Sequence, residues 1–166
     1  MKNYLITILL FLLSSCTISL DNKIKVYRLL IEEKTIFIPV EINKISYKFV
    51  LDLNCPTSTI SKTLAEKLKL QPTKNNQEYE IDFMVFGDLT LNNIIIKANN
   101  NNSAGTIGRD LLGRTSFLYL NLKEKYFNFN KFTTLTKQVA LKKLTTIDPF
   151  EYMIFSIDFK NNVIHY

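Results

Sequence analysis

The sequence predicts a mostly β, single-lobe domain with two short helices and a β-hairpin added at its C-terminal end. Three observations carry this. Apolar residues recur at every second position through residues 36–42 (Ile36, Ile38, Val40, Ile42) and again through 45–51 (Ile45, Tyr47, Phe49, Leu51). Polar turns (Asn43-Lys44, Gly87-Asp88, Lys123-Glu124-Lys125, Lys160-Asn161-Asn162) separate runs rich in Ile, Val, Phe and Tyr. Helical spacing is confined to residues 61–70 and to a few residues after Gly108.

The N-terminal residues stand outside this pattern. Lys2 gives a positive start, residues 4–13 are an almost unbroken apolar run, and Leu13-Ser14-Ser15-Cys16 follows. An apolar stretch of this length suits a secretory signal and is short for a membrane-spanning helix. Small residues before a Cys resemble the lipobox of bacterial lipoproteins, so residues 1–15 read as a signal peptide and Cys16 as the lipidated first mature residue. Membrane lipid held through Cys16, palmitate included, is then the first expected partner. Two or more acyl chains anchor a protein stably, which places the domain at the bacterial cell envelope, facing the periplasm or the exterior. Residues 16–23 form the tether.

Each later element has its own signal. Residues 24–31 read as a strand lying alongside the next hairpin. Ile36, Ile38, Val40 and Ile42 share one face of the following strand, and Asn43-Lys44 turns the chain. Ile45, Tyr47, Phe49 and Leu51 then line one face, which puts Asp52 on the other with Lys48 and Val50. Leu64, Ala65 and Leu68 make an amphipathic helix that stops at Gln71-Pro72. Residues 79–86 and 89–97 pair across Gly87-Asp88, and residues 99–102 are a polar loop. A short helix spans residues 109–113. Residues 116–122 and 126–132 form a hairpin, residues 133–150 are weakly patterned, and residues 151–159 and 163–166 form the last hairpin.

Composition narrows the function classes. Without residues 1–16, 150 residues remain, enough for one core, and the formal charge falls from +6 to +5. The lysines are scattered and do not alternate with aromatics, so no nucleic-acid surface is expected. The single His, scattered carboxylates and one remaining Cys give no metal-ligand spacing, so neither metal nor cofactor is expected. With Cys16 lipidated, Cys55 has no disulfide partner and reads as a small buried hydrophobe. His165, in a predicted strand near the C-terminus, reads as an ordinary strand residue.

Two segments carry the chemistry. Phe49-Val50-Leu51-Asp52-Leu53-Asn54 delivers one carboxylate from a buried strand into a tight turn. Roughly fifty residues on lies Gly105-Thr106-Ile107-Gly108-Arg109-Asp110-Leu111-Leu112. In that order, with a short helix and paired strands between them, they resemble the signature elements of one retropepsin-like aspartic-peptidase lobe. The resemblance covers about residues 35–130. It implies an acid-protease barrel over residues 24–132, with residues 133–166 as a β extension packed on the same domain. It also implies that Gly108 passes beside the Asp52 loop and that Asp52 is the candidate catalytic residue. In such enzymes two carboxylates share a proton and activate water, so one lobe implies a homodimer.

The signature departs from the family pattern in ways that bear on activity. Asp52-Leu53-Asn54 stands where the family has Asp-Thr-Gly or Asp-Ser-Gly. Leu53 lacks the hydroxyl that links the two loops, and Asn54 adds a side chain where glycine is usual. The stretch at residues 70–81, which helps build the flap in active relatives, is short. Arg109 has no acid in Cys55-Pro56-Thr57-Ser58 to pair with, and is left with Asp110, Asp52 or solvent. Asp52 is also a natural Asx-turn former, and the missing support favours that role. The leading expectation is a divergent, non-catalytic fold that binds a peptide or envelope protein. The alternatives are an active homodimeric aspartic endopeptidase and a structural or antigenic envelope lipoprotein.

Overall fold

The computed structural model describes residues 25–74, 77–100, 103–129, 138–140, 148–151 and 153–166. The signal segment, Cys16 and the whole of the tether lie outside the described residues.

Six strands close into a barrel. They are β3 (Thr35–Ile42), β4 (Ile45–Leu51), β9 (Gly105–Ile107), β5 (Thr59–Ser61), β8 (Leu89–Asn99) and β7 (Glu78–Phe86), in that spatial order. Closure comes from Glu41 and Ile42 of β3 pairing with Val85 and Met84 of β7. The other ends of those two strands carry short additions: β2 (Leu30–Glu32) on β3 and β6 (Gln71–Pro72) on β7. Ile36, Ile38, Val40 and Ile42 fill the interior together with Phe49, Ile60, Ile81 and Ile107, each at most 2% exposed. Helix α1 (Lys62–Lys67) starts directly from β5, where the Ser61 hydroxyl accepts the Leu64 N–H.

A second six-stranded sheet runs β1 (Tyr27–Arg28), β11 (Tyr126–Asn128), β10 (Phe117–Asn121), β13 (Ile154–Asp158), β14 (Val163–His165) and β12 (Gln138–Ala140). Strands from the C-terminal region thus pair directly with β10, from Phe117 opposite Asp158 to Asn121 opposite Ile154. Leu118, Leu120, Phe127, Phe155, Ile157 and Ile164 belong to the same hydrophobic cluster as the barrel interior. At the junction the β7–β8 turn presses on this sheet. A side chain at Gly87 would meet Phe129 at 2.7 Å and Phe127 at 3.1 Å, and its φ of +59° is itself a glycine conformation.

Several elements differ from their sequence expectations. The strand expected over residues 24–31 is two strands in two sheets. Leu29 marks the break: it is buried, and its N–H donates to the Lys125 carbonyl (3.1 Å). Ile45, expected on a buried face, is 55% exposed. The cause is that β9 reaches only Val50 and Leu51, leaving the start of β4 uncovered on that side. Helix α1 is shorter than residues 61–70, with Leu68 as its C-cap. The inward pattern of the β7–β8 hairpin shifts midway, from Ile81 to Met84 on one strand and from Ile94 to Leu91 on the other. Asn93 adopts φ +49° at that point, and the ladder skips from Ile81–Ile94 to Phe83–Asn92 there.

Candidate functional site

The strand order explains how the two signature segments meet. β4 and β5 are consecutive in the chain, yet β9 lies between them, parallel to β4 and antiparallel to β5. Residues 52–58 must therefore straddle the end of β9, where Ile107 gives way to Gly108 and α2 (Arg109–Leu112) begins. The Asp52 N–H donates to the Ile107 carbonyl (3.1 Å), and the Arg109 N–H donates to the Cys55 carbonyl (2.9 Å). Two glycines make the crossing possible. A Cβ on Gly108 would lie 2.8 Å from the Cys55 carbonyl oxygen and about 3 Å from the Thr57 backbone. One on Gly105 would lie 2.3 Å from both the Thr59 carbonyl oxygen and the Phe49 ring. Backbone cannot yield as a flexible side chain can.

Asp52 is half-buried, and its Oδ1 accepts the N–H groups of Asn54 (2.8 Å) and Cys55 (3.2 Å). This is an Asx turn, in which the carboxylate satisfies the loop's own donors. Leu53 is 3% exposed and joins the core. Asn54 is exposed, and its φ lies outside the left-handed region, so the turn does not require glycine there. The Cys55 thiol is half-buried and donates to the Thr57 carbonyl (3.0 Å). His165 is on β14 of the second sheet, opposite Ser156 and Gln138.

What braces the loop is a residue with no signal of its own in the sequence. Ser58 is 1% exposed. Its hydroxyl accepts the Gly108 N–H (2.8 Å) and donates to Asp110 Oδ1 (2.6 Å), while its own N–H donates to the same oxygen (2.9 Å). Asp110 also accepts the Leu111 N–H (2.8 Å). Helix α2 is thus locked to the loop by its carboxylate. Arg109 is exposed and forms no ion pair among the described residues. Neither Asp110 nor Asp52 is an ion-pair partner of it.

A cavity of about 230 Å³ opens beside Asp52. Lys34, Thr35 and Asn54 line it, and so does Pro149 from the C-terminal region. Among the described residues that line it, Asp52 is the single carboxylate and Lys34 the single ammonium. Where a flap would rise, β6 and β7 pair through Gln71 with Glu80 and Pro72 with Tyr79. The Thr73 N–H donates to the Glu78 carbonyl (2.9 Å), which closes this hairpin tightly.

No protein-family model matches the chain. No curated protein matches it either. Among solved structures it is similar to a retropepsin-like aspartic protease from Rickettsia conorii, at 17% identity over 63% of this chain and 89% of that one, with a TM-score of 0.49. It is also similar to the retroviral protease-like domain of Ddi1 from Leishmania major, at 18% identity over 60% of this chain and 96% of that one, with a TM-score of 0.43. The fold is retropepsin-like. In this chain that description rests on the closed barrel and on the Asp52 loop straddling the β9–α2 junction.

Proposed function

We propose that this chain is a lipid-anchored protein of the bacterial cell envelope whose retropepsin-like domain binds an extended peptide or an envelope partner without cleaving it. The observation that carries this reading is Leu53. Beside Asp52, where the resembling enzymes have a hydroxyl, this chain has a leucine 3% exposed and packed in the core. Nothing at that position can brace the loop of a second lobe, and catalytic geometry needs such bracing. The chemistry also needs two carboxylates close enough to share a proton, whereas the described residues lining the Asp52 cavity of one copy supply one. Anchoring through Cys16 is supported by the charged, apolar and small-residue order of the first sixteen residues.

The test is a pair of substitutions in the full chain. Purified protein offered a peptide library at acidic pH is expected to show the same cleavage, or lack of it, with Asp52→Asn. Peptides captured by the parent should still be captured by that variant. Cleavage that disappears in Asp52→Asn would establish the alternative, a homodimeric aspartic endopeptidase with Asp52 from each subunit. That alternative is favoured by one observation, the crossing that holds the carboxylate at the loop's turn. In bacteria, labelling with an alkyne analogue of palmitate should mark the parent and be lost in Cys16→Ser. Equal labelling of both would remove the anchor.

A further inference from the structure

We propose that the turn of residues 148–151 is a built-in cap on the Asp52 cavity, which keeps the acidic loop of this chain from meeting the same loop of a second copy. The inference goes beyond the functional reading above. It concerns access to Asp52, whatever Asp52 does.

Three observations lead to it. Pro149 lines the Asp52 cavity together with Lys34 and Asn54, although it lies almost a hundred residues further along the chain. The turn that presents Pro149 is anchored. Asp148 accepts the Phe150 N–H on its side chain (2.9 Å) and the Glu151 N–H on its carbonyl (3.2 Å), and Phe150 packs against the core. Just beyond, β13 takes up the whole of β10, five residue pairs long, while β11 pairs on the other side. A second copy therefore finds no free edge on β10. For two Asp52 carboxylates to share a proton they must come within about 3 Å, and in each copy Pro149 stands at the cavity they would have to share. Opening it requires lifting the 148–151 turn and withdrawing the Phe150 ring from its packing. The chain itself thus covers the cavity that a second lobe would otherwise cover.

Crosslinking tests this in the full-length chain, in detergent, on a Cys16→Ser/Cys55→Ser background. Three variants are made: Asn54→Cys alone, Asn54→Cys with Pro149→Cys, and Lys34→Cys with Pro149→Cys. Each is treated with a short bis-maleimide and separated by denaturing electrophoresis. Both double variants are expected to lose both free thiols within one chain. At micromolar protein that intrachain reaction should outrun interchain linking by on the order of a thousandfold, because its effective concentration is millimolar. Asn54→Cys alone should stay monomeric. The Lys34 pair keeps the test valid should Asn54→Cys disturb the loop. A predominant Asn54–Asn54 interchain product, or thiols that remain free in both double variants, would overturn the cap. Either result leaves the peptide-cleavage test of Asp52→Asn to be decided separately.

Discussion

Ser58 shows how much of this site depends on one hydroxyl. It is buried, it satisfies the Gly108 N–H, and it passes the interaction on to Asp110. Replacing it by Ala leaves the buried Gly108 N–H without that acceptor and removes one of Asp110's partners, the hydroxyl, while the backbone N–H of residue 58 remains. Such a loss costs about 1–3 kcal/mol, so urea unfolding of Ser58→Ala should show a lower midpoint with an unchanged slope. A changed slope would mean that the loop had rearranged more widely. Tyr119 gives a pH prediction at the same scale. Burial, then its hydrogen bond to Tyr126, pushes its pKa up to about 12 from 10.0. The folded state therefore keeps a proton that the unfolded state releases. Stability from this group is complete below pH 10 and is lost as pH rises from there through about 12. Unfolding measured between pH 9 and 12 should show this decline, flattened in Tyr119→Phe.

At the scale of elements, the β3–β4 hairpin was legible and its turn is improvable. Asn43 and Lys44 adopt φ of 53° and 65°, the arrangement of a two-residue type I′ turn, in which glycine is favoured at the second position. Lys44→Gly relieves a left-handed side chain, worth about 1–2 kcal/mol, against the about 0.5–1 kcal/mol entropic cost of glycine, so it should stabilise the protein by about 0.5–1 kcal/mol net, seen as a higher thermal midpoint. A lower midpoint would mean that the lysine side chain contributes more than its backbone costs. The hairpin could be read because an aliphatic residue stands at every second position from Ile36 to Ile42 and that whole face is buried. The Asp52–Gly108 crossing could be read because a carboxylate at a strand end and a glycine before a helix are local patterns. Other features had no local pattern. The Glu33-Lys34 turn has φ of 44° and 64° without the Asn-Gly or Asp-Gly that would announce it. The run Val26-Tyr27-Arg28-Leu29-Leu30-Ile31 is continuous in composition, and only the pull of two sheets divides it at Leu29. Strand β12 arises within a stretch of weak pattern because β14 offers it an edge. Ser58 matters because of residues some fifty positions away.

The molecule as a whole turns on whether its two sheets unfold together. Phe155 on β13 is fully buried and belongs to one hydrophobic cluster with Ile38 and Phe49 of the barrel. Phe86 at the end of β7 meets Phe129 edge-on at 6.0 Å, and Tyr27 hydrogen-bonds Asp88 across the same junction. These contacts tie the C-terminal strands to the lobe that carries Asp52, and they do so through side chains from both ends of the chain. A cavity at Phe155 should therefore weaken everything, not only the sheet that holds it. Phe155→Ala is expected to cost about 3–5 kcal/mol, with backbone circular dichroism and tyrosine fluorescence reporting a single shared transition. Were the C-terminal strands an independent unit, the two probes would separate, and the transition belonging to the barrel would stay where it is in the parent. The cap inferred above needs the first outcome, since Pro149 can hold its place at Asp52 only if β13, just beyond it, stays folded as long as the barrel does.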